Sequence, residues 1–113
     1  MKGTILIGSK NVEMAANAAS PFVYKQVFHE DLLLEINKMD MTSPDVNVFA
    51  QLSFIMAKQG ESIPLDKLLA LSDTDYITWL CGFEPGTFDR ADTINEIVSI
   101  WRNQSVPTSE QKN

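Results

Sequence analysis

The segment from Pro44 to Lys58 (PDVNVFAQLSFIMAK) is apolar on nearly every side of the helix it predicts, and nothing else in the chain constrains the fold as strongly. Ser43-Pro44 is a helix-opening pair, since proline at the first helical position gives up an N–H that has no intrahelical partner there. Asp45 then stands in the first turn, where the positive end of the helix dipole favours a carboxylate. At helical spacing Val48, Leu52 and Ile55 form one stripe and Phe49 and Met56 widen it. Val46, Ala50, Phe54 and Ala57 continue it around the far side. A helix with that pattern must be covered on almost every face. In a chain of 113 residues it is either the central helix or partly an interface. Gly60 is the expected stop, as glycine commonly follows the last helical residue.

The material to cover it lies on both sides. Thr4–Ile7 and Val12–Ala16 are short extended segments around Gly8-Ser9-Lys10-Asn11, and Val12, Met14 and Ala16 alternate with Glu13 and Ala15 as in a half-buried strand. Ser20-Pro21 opens a helix with Ser20 as cap. Val23 and Val27, and Tyr24 and Phe28, stand one turn apart, and His29 ends it. Asp31 caps a second helix bearing Leu32, Leu33, Leu34 and Ile36, which Asp40 to Ser43 breaks. Beyond Pro64, the residues Leu65, Leu68, Leu69 and Leu71 predict a short helix. Ser72 or Thr74 starts the next, with Tyr76, Ile77, Leu80 and Cys81 on one face. Pro85-Gly86 is a turn. Thr93 with Glu96 forms a capping box, followed by Ile94, Ile97, Val98 and Trp101 on one helical face. The expected fold class is α+β, mostly α: a short N-terminal β-hairpin packed on a bundle of about five helices. A single domain spans 1–104, and a polar, flexible C-terminal tail covers 105–113. Apolar residues make up 44% of the chain, enough to build such a core.

The functional classes narrow by chemistry. A net charge of −6, with nine basic residues scattered, disfavours nucleic acid, whose phosphates call for a clustered basic face. No apolar run approaches the roughly 20 residues that cross a bilayer, and the start is too short for a signal peptide. These features lead to the expectation of a cytoplasmic protein. One cysteine, Cys81, excludes an internal disulfide, and its setting without nearby Lys, Arg or His reads as an inert core thiol. One histidine, His29, excludes a two-histidine metal motif and reads as a surface residue at a helix end. Asp73, Asp75, Asp89 and Asp92 read as caps and first-turn charges, because no calcium-loop pattern joins them. The five glycines draw no phosphate-binding loop. No catalytic, cofactor or metal residue is expected, and an enzyme ranks last among the readings.

The pattern Val12-Glu13-Met14-Ala15-Ala16-Asn17-Ala18-x-x-Pro21-Phe22-Val23-Tyr24-Lys25-x-x-Phe28-x-x-Asp31-Leu32-Leu33 resembles the N-terminal part of tail assembly chaperones from siphophages and prophages of Gram-positive bacteria. The later order is similar too: Phe49 to Met56 with Ala57-Lys58, a break, a leucine-rich helix ending near Trp79-Leu80, and a last helix bearing Trp101. The resemblance covers roughly residues 1 to 104. Where family members often have glycine after the helix-ending phenylalanine, this chain has His29, a residue type enriched at positive φ.

The resemblance implies a non-catalytic chaperone that binds the phage tape measure protein, keeps it soluble while the tail tube assembles, and is absent from the mature virion. It implies self-association, and a longer frameshifted form that reaches the major tail tube protein. Gln111-Lys112-Asn113 permit the codons CAA-AAA-AAC, which contain the slippery string A-AAA-AAC. An apolar surface on a soluble, charged body would serve the task, and the candidate contacts are Phe22, Tyr24, Phe28, Val46, Phe49, Ala50 and Phe54. Core packing is the competing account of each. Two other non-enzymatic readings stand beside this one: a small phage or mobile-element protein that inhibits a host protein, and a minor virion connector.

Overall fold

The computed structural model describes residues 2–39 and 45–105, with the backbone alone at 103–105. Two antiparallel strands, β1 (Lys2–Ile7) and β2 (Lys10–Ala15), pair from Lys2↔Ala15 to Ile7↔Lys10. The connection is the two residues Gly8-Ser9, tighter than the four expected, and Lys10 and Asn11 belong to β2. Gly8 stands at φ 63°, which a glycine in the first central position of such a turn adopts without strain. Ile5, Ile7 and Met14 point inward while Leu6 points out.

Six α-helices and one 3-10 turn follow among the described residues, against about five helices expected: α1 (Ser20–Phe28), α2 (Leu32–Lys38), α3 (Val46–Gly60), α4 (Leu65–Leu69), α5 (Asp73–Leu80), the 3-10 turn Thr87–Asp89, and α6 (Ala91–Ser105). The α+β, mostly helical architecture is as expected. The stretch 106–113, the bulk of the expected tail, lies outside the described residues, as does the break over 40–43.

Helix α3 is the centre. It packs against β2, α1, α2, α5, α6 and the 3-10 turn. Ten of its fifteen residues are buried, including Val48, Leu52 and Ile55 on the first stripe and Phe49, Met56, Ala50, Phe54 and Ala57 around it. Each large apolar side chain taken fully out of water contributes about 1.5–3 kcal/mol, so this helix supplies much of the stability. Ser43-Pro44 lie outside the described residues. Asp45 is the cap rather than a first-turn residue, its Oδ1 accepting from the N–H groups of Asn47 and Val48 at 3.0 and 3.4 Å.

Gly60 has a different purpose from the one read in the sequence. It is the last helical residue, not the one after, and an added Cβ would come within 2.4 Å of the backbone oxygen of Glu13. The glycine lets the end of α3 press on β2. Beside it, Ser20 Oγ donates to Gln59 Oε1 at 2.6 Å and accepts from the Asn17 N–H at 3.0 Å, while Gln59 Nε2 donates to Asn17 Oδ1. Ser20 is thus the first residue of α1, not its cap, and its hydroxyl ties the hairpin exit to α3. His29 closes α1 at φ 62° and Asp31 caps α2 by accepting from the Leu34 N–H.

Further along, Ser72 and Asp75 make a reciprocal capping box at the start of α5. The expected box at Thr93 is displaced. Helix α6 starts at Ala91, because the 3-10 turn after Gly86 delivers the chain straight into it and the Ile94 N–H reaches back to the Arg90 carbonyl. Thr93 is buried within the first turn, and Ile94, Ile97, Ile100 and Trp101 face the core. An aromatic chain runs through the interior from Tyr24 to Phe28, Tyr76, Phe54, Trp79 and Phe83, with successive ring centroids 4.9–5.6 Å apart. Tilted and edge-on pairs of this kind add about 0.5–1.5 kcal/mol each.

Candidate protein-binding surface

Of the seven candidate contacts, five are core in this fold. Tyr24, Phe28, Phe49, Ala50 and Phe54 are buried and present no open apolar face to another chain, while Val46 is half-buried. The reason is α3's central place: the inner face of α1 lies on it, Phe28 against Phe54 and Tyr24 against Gln51. Phe22 differs. It is 74% exposed, the most exposed large apolar residue described.

Phe22 is a ridge between two shallow grooves. On one side Phe22, Lys25, Gln26 and His29, the outer stripe of α1, face Leu69 of α4. On the other, Ala18, Pro21, Phe22 and Lys25 face Asp31 and Leu33 at the start of α2. Leu33 is half exposed and Leu69 more than a third exposed. Both covering helices are short, with seven and five residues, and each turns one leucine inward: Leu32 from α2 and Leu68 from α4. The neighbouring leucines are left on the surface. Only Phe22 of this patch was legible as a contact. Leu33 sits in a Leu-Leu-Leu run, and a short helix cannot bury three consecutive leucines on one face; that was the available signal.

Lys25 lines both grooves, and its ammonium, like those of Lys2, Lys10 and Lys67, has no ion pair among the described residues, where the pairs are Lys38 with Glu35, Lys58 with Glu61 and Arg90 with Asp92. The Arg90–Asp92 pair is exposed, and the hydrogen bond from Arg90 holds the Asp92 carboxyl below its ordinary range.

A second recess lies at the other end, between the hairpin turn and the loop after α5, lined by Ser9, Lys10, Cys81, Phe83, Glu84 and Thr87 among others. Lys10 Nζ stands 5.1 Å from the Phe83 ring centroid. Cys81 is exposed there, not a core thiol. Helix α5 turns Tyr76 fully inward and Trp79 and Leu80 partly so, which leaves Ile77 and Cys81 outward; the expected face of Tyr76, Ile77, Leu80 and Cys81 is split.

Two tyrosines are the titratable groups of the interior with shifted ionisation. The Tyr24 hydroxyl donates to Gln51 Oε1 at 2.7 Å, and burial, with the carboxylates of Glu30 and Glu35 nearby, pushes its ionisation well above the ordinary tyrosine range. Burial pushes Tyr76 up to about 12. Both phenols are neutral at physiological pH. His29 is exposed at the helix end. Among the described residues no three His, Cys, Asp or Glu side chains gather as a metal site, and no helix is long and apolar enough to cross a membrane. Comparisons with protein-family models, curated proteins and solved structures found no match for this chain.

Proposed function

We propose that this protein is a non-catalytic tail assembly chaperone that binds the tape measure protein of its phage and keeps it soluble while the tail tube forms. The observation that carries the reading is the ridge at Phe22: a large aromatic side chain 74% exposed, flanked by grooves and exposed leucines, on a chain of net charge −6. A body of that kind stays in solution through its charge and offers a compact apolar site to another chain. The leading hairpin and following helices also agree with the architecture the sequence resemblance implies. A tape measure protein is long and helical with apolar stripes, so many copies of a modest site would act together along it. Its cytoplasmic location in the bacterial host, its absence from the mature virion, self-association and a longer frameshifted form all belong to this proposal.

Co-expression with the tape measure protein encoded by the same genome tests it. The expected result is a soluble, co-purifying complex where the tape measure protein alone precipitates. Unchanged precipitation with both proteins present would contradict the proposal.

A further inference from the structure

We infer that the Phe22 ridge is a docking site for an amphipathic helix of another chain, one whose apolar face carries a carboxylate at its edge to meet Lys25. This deepens the proposed function by naming the surface and the chemistry of the segment it takes.

The occupant's secondary structure follows from the surface. Both grooves are lined by the side chains of α1 and its flanking residues together with residues at the start of α2 or the end of α4. No strand edge lies there to pair with an extended peptide. A segment that buries itself on this face must arrive with its own backbone hydrogen bonds satisfied, and a helix does so. The outer stripe of α1 reads Phe22, Lys25, Gln26, His29, the spacing of one helical face. A helix laid between α1 and α4 would flank Phe22 with apolar residues three and four apart and reach Leu69 on its other side.

The charge follows from Lys25. It lines both grooves, and its ammonium is without an ion pair among the described residues. Asp31 lines only the groove on the α2 side, where it also caps α2 through the Leu34 N–H; no carboxylate lines the groove on the Leu69 side, and it is there that Lys25 calls for one. His29 is the other titratable side chain lining these grooves, and it carries no negative charge. An arriving helix that covers Phe22 also removes water from around Lys25. A carboxylate on that helix compensates, whereas a second ammonium would repel. The site therefore selects apolar helices flanked by Asp or Glu over those flanked by Lys or Arg.

Two arms test this with the full chain. In the first, the soluble complex of the parent protein with the tape measure protein is challenged with Phe22→Ser, Lys25→Glu or the control Ile77→Ser as competitor, the last changing an exposed apolar residue outside both grooves. Affinity should fall about 30-fold for Phe22→Ser and about fivefold for Lys25→Glu, and remain unchanged for the control, with the thermal melting of all three as in the parent. Parent-like binding by both groove variants would overturn the inference while leaving the chaperone reading standing. In the second arm, two synthetic amphipathic helical peptides, one flanked by Glu and one by Lys, are titrated against the parent protein and followed by residue-resolved NMR. Shifts centred on Phe22, Lys25 and Leu69, stronger for the Glu peptide, support the site even if the tape measure protein is ignored. Shifts elsewhere, no preference between peptides, or a patch already covered by a second copy of this chain would overturn it.

Discussion

Phe54 and Phe22 are the same residue type on neighbouring helices, and they meet opposite fates. Phe54 belongs to α3, whose apolar residues run around the whole cylinder, and it is fully buried among the Phe28, Tyr76 and Trp79 rings. Phe22 belongs to α1, a helix with one apolar face turned inward, and it stands outside that face at 74% exposure. Apolar density along a sequence marks the element that the rest of the chain must cover. The exposed Phe22 patch, the proposed docking surface, lies instead where the covering elements run out, between the five-residue α4 and the seven-residue α2.

Mutation breaks or sharpens this contrast. The largest effect is expected at the centre: Phe54→Ala should cost about 3–5 kcal/mol, read as a large fall in the denaturation midpoint, whereas Phe22→Ala should change stability by about 0.5 kcal/mol or less. Equal losses would erase the distinction. Next comes the end of α3. Gly60→Ala drives a methyl toward the Glu13 backbone, which is not a flexible side-chain tip, so a loss of about 1–3 kcal/mol is expected; a neutral result would mean that β2 is not held firmly against α3. A smaller loss, about 1 kcal/mol, should follow Ser72→Ala, which opens the capping box of α5.

Alkaline titration probes the same core without touching α1's outer face. Burial raises the Tyr76 phenol from 10.0 to about 12. The neutral phenol's preference for the folded state therefore contributes at every pH below about 10, where both states are protonated. It is lost as pH climbs from there through about 12, because the unfolded chain ionises first. Unfolding free energy should begin to fall near pH 10, and Tyr76→Phe should weaken that fall while leaving stability at neutral pH nearly unchanged.

Much of this architecture was legible because local signals and burial agree. The central role of α3 follows from its all-round pattern, and the helix ends at His29, Asp31 and Ser72 follow from backbone conformation and capping. Two of the misreadings, Gly60 and Ser20, share one cause, which is contact between distant parts of the chain. Gly60 reads as a stop signal, yet it is needed because β2 lies across it. Ser20 reads as a cap, but Gln59, 39 residues away, engages its hydroxyl. Cys81 reads as buried because Trp79-Leu80 precede it, but it sits at the end of α5 facing out. The candidate surface was the least legible. Five of seven expected contacts are core, and Lys25, Leu33 and Leu69 join Phe22 only through the packing of α1, α2 and α4.

Hydrogen exchange of the protein with and without the proposed tape measure partner addresses most directly whether the outer face of α1, and not α3, is the proposed docking surface. Amides across 20–28 and 65–69 should slow on complex formation, while those of α3 stay as they were. A bound complex in which these two segments exchange at their free rates, with new protection elsewhere, would contradict the account.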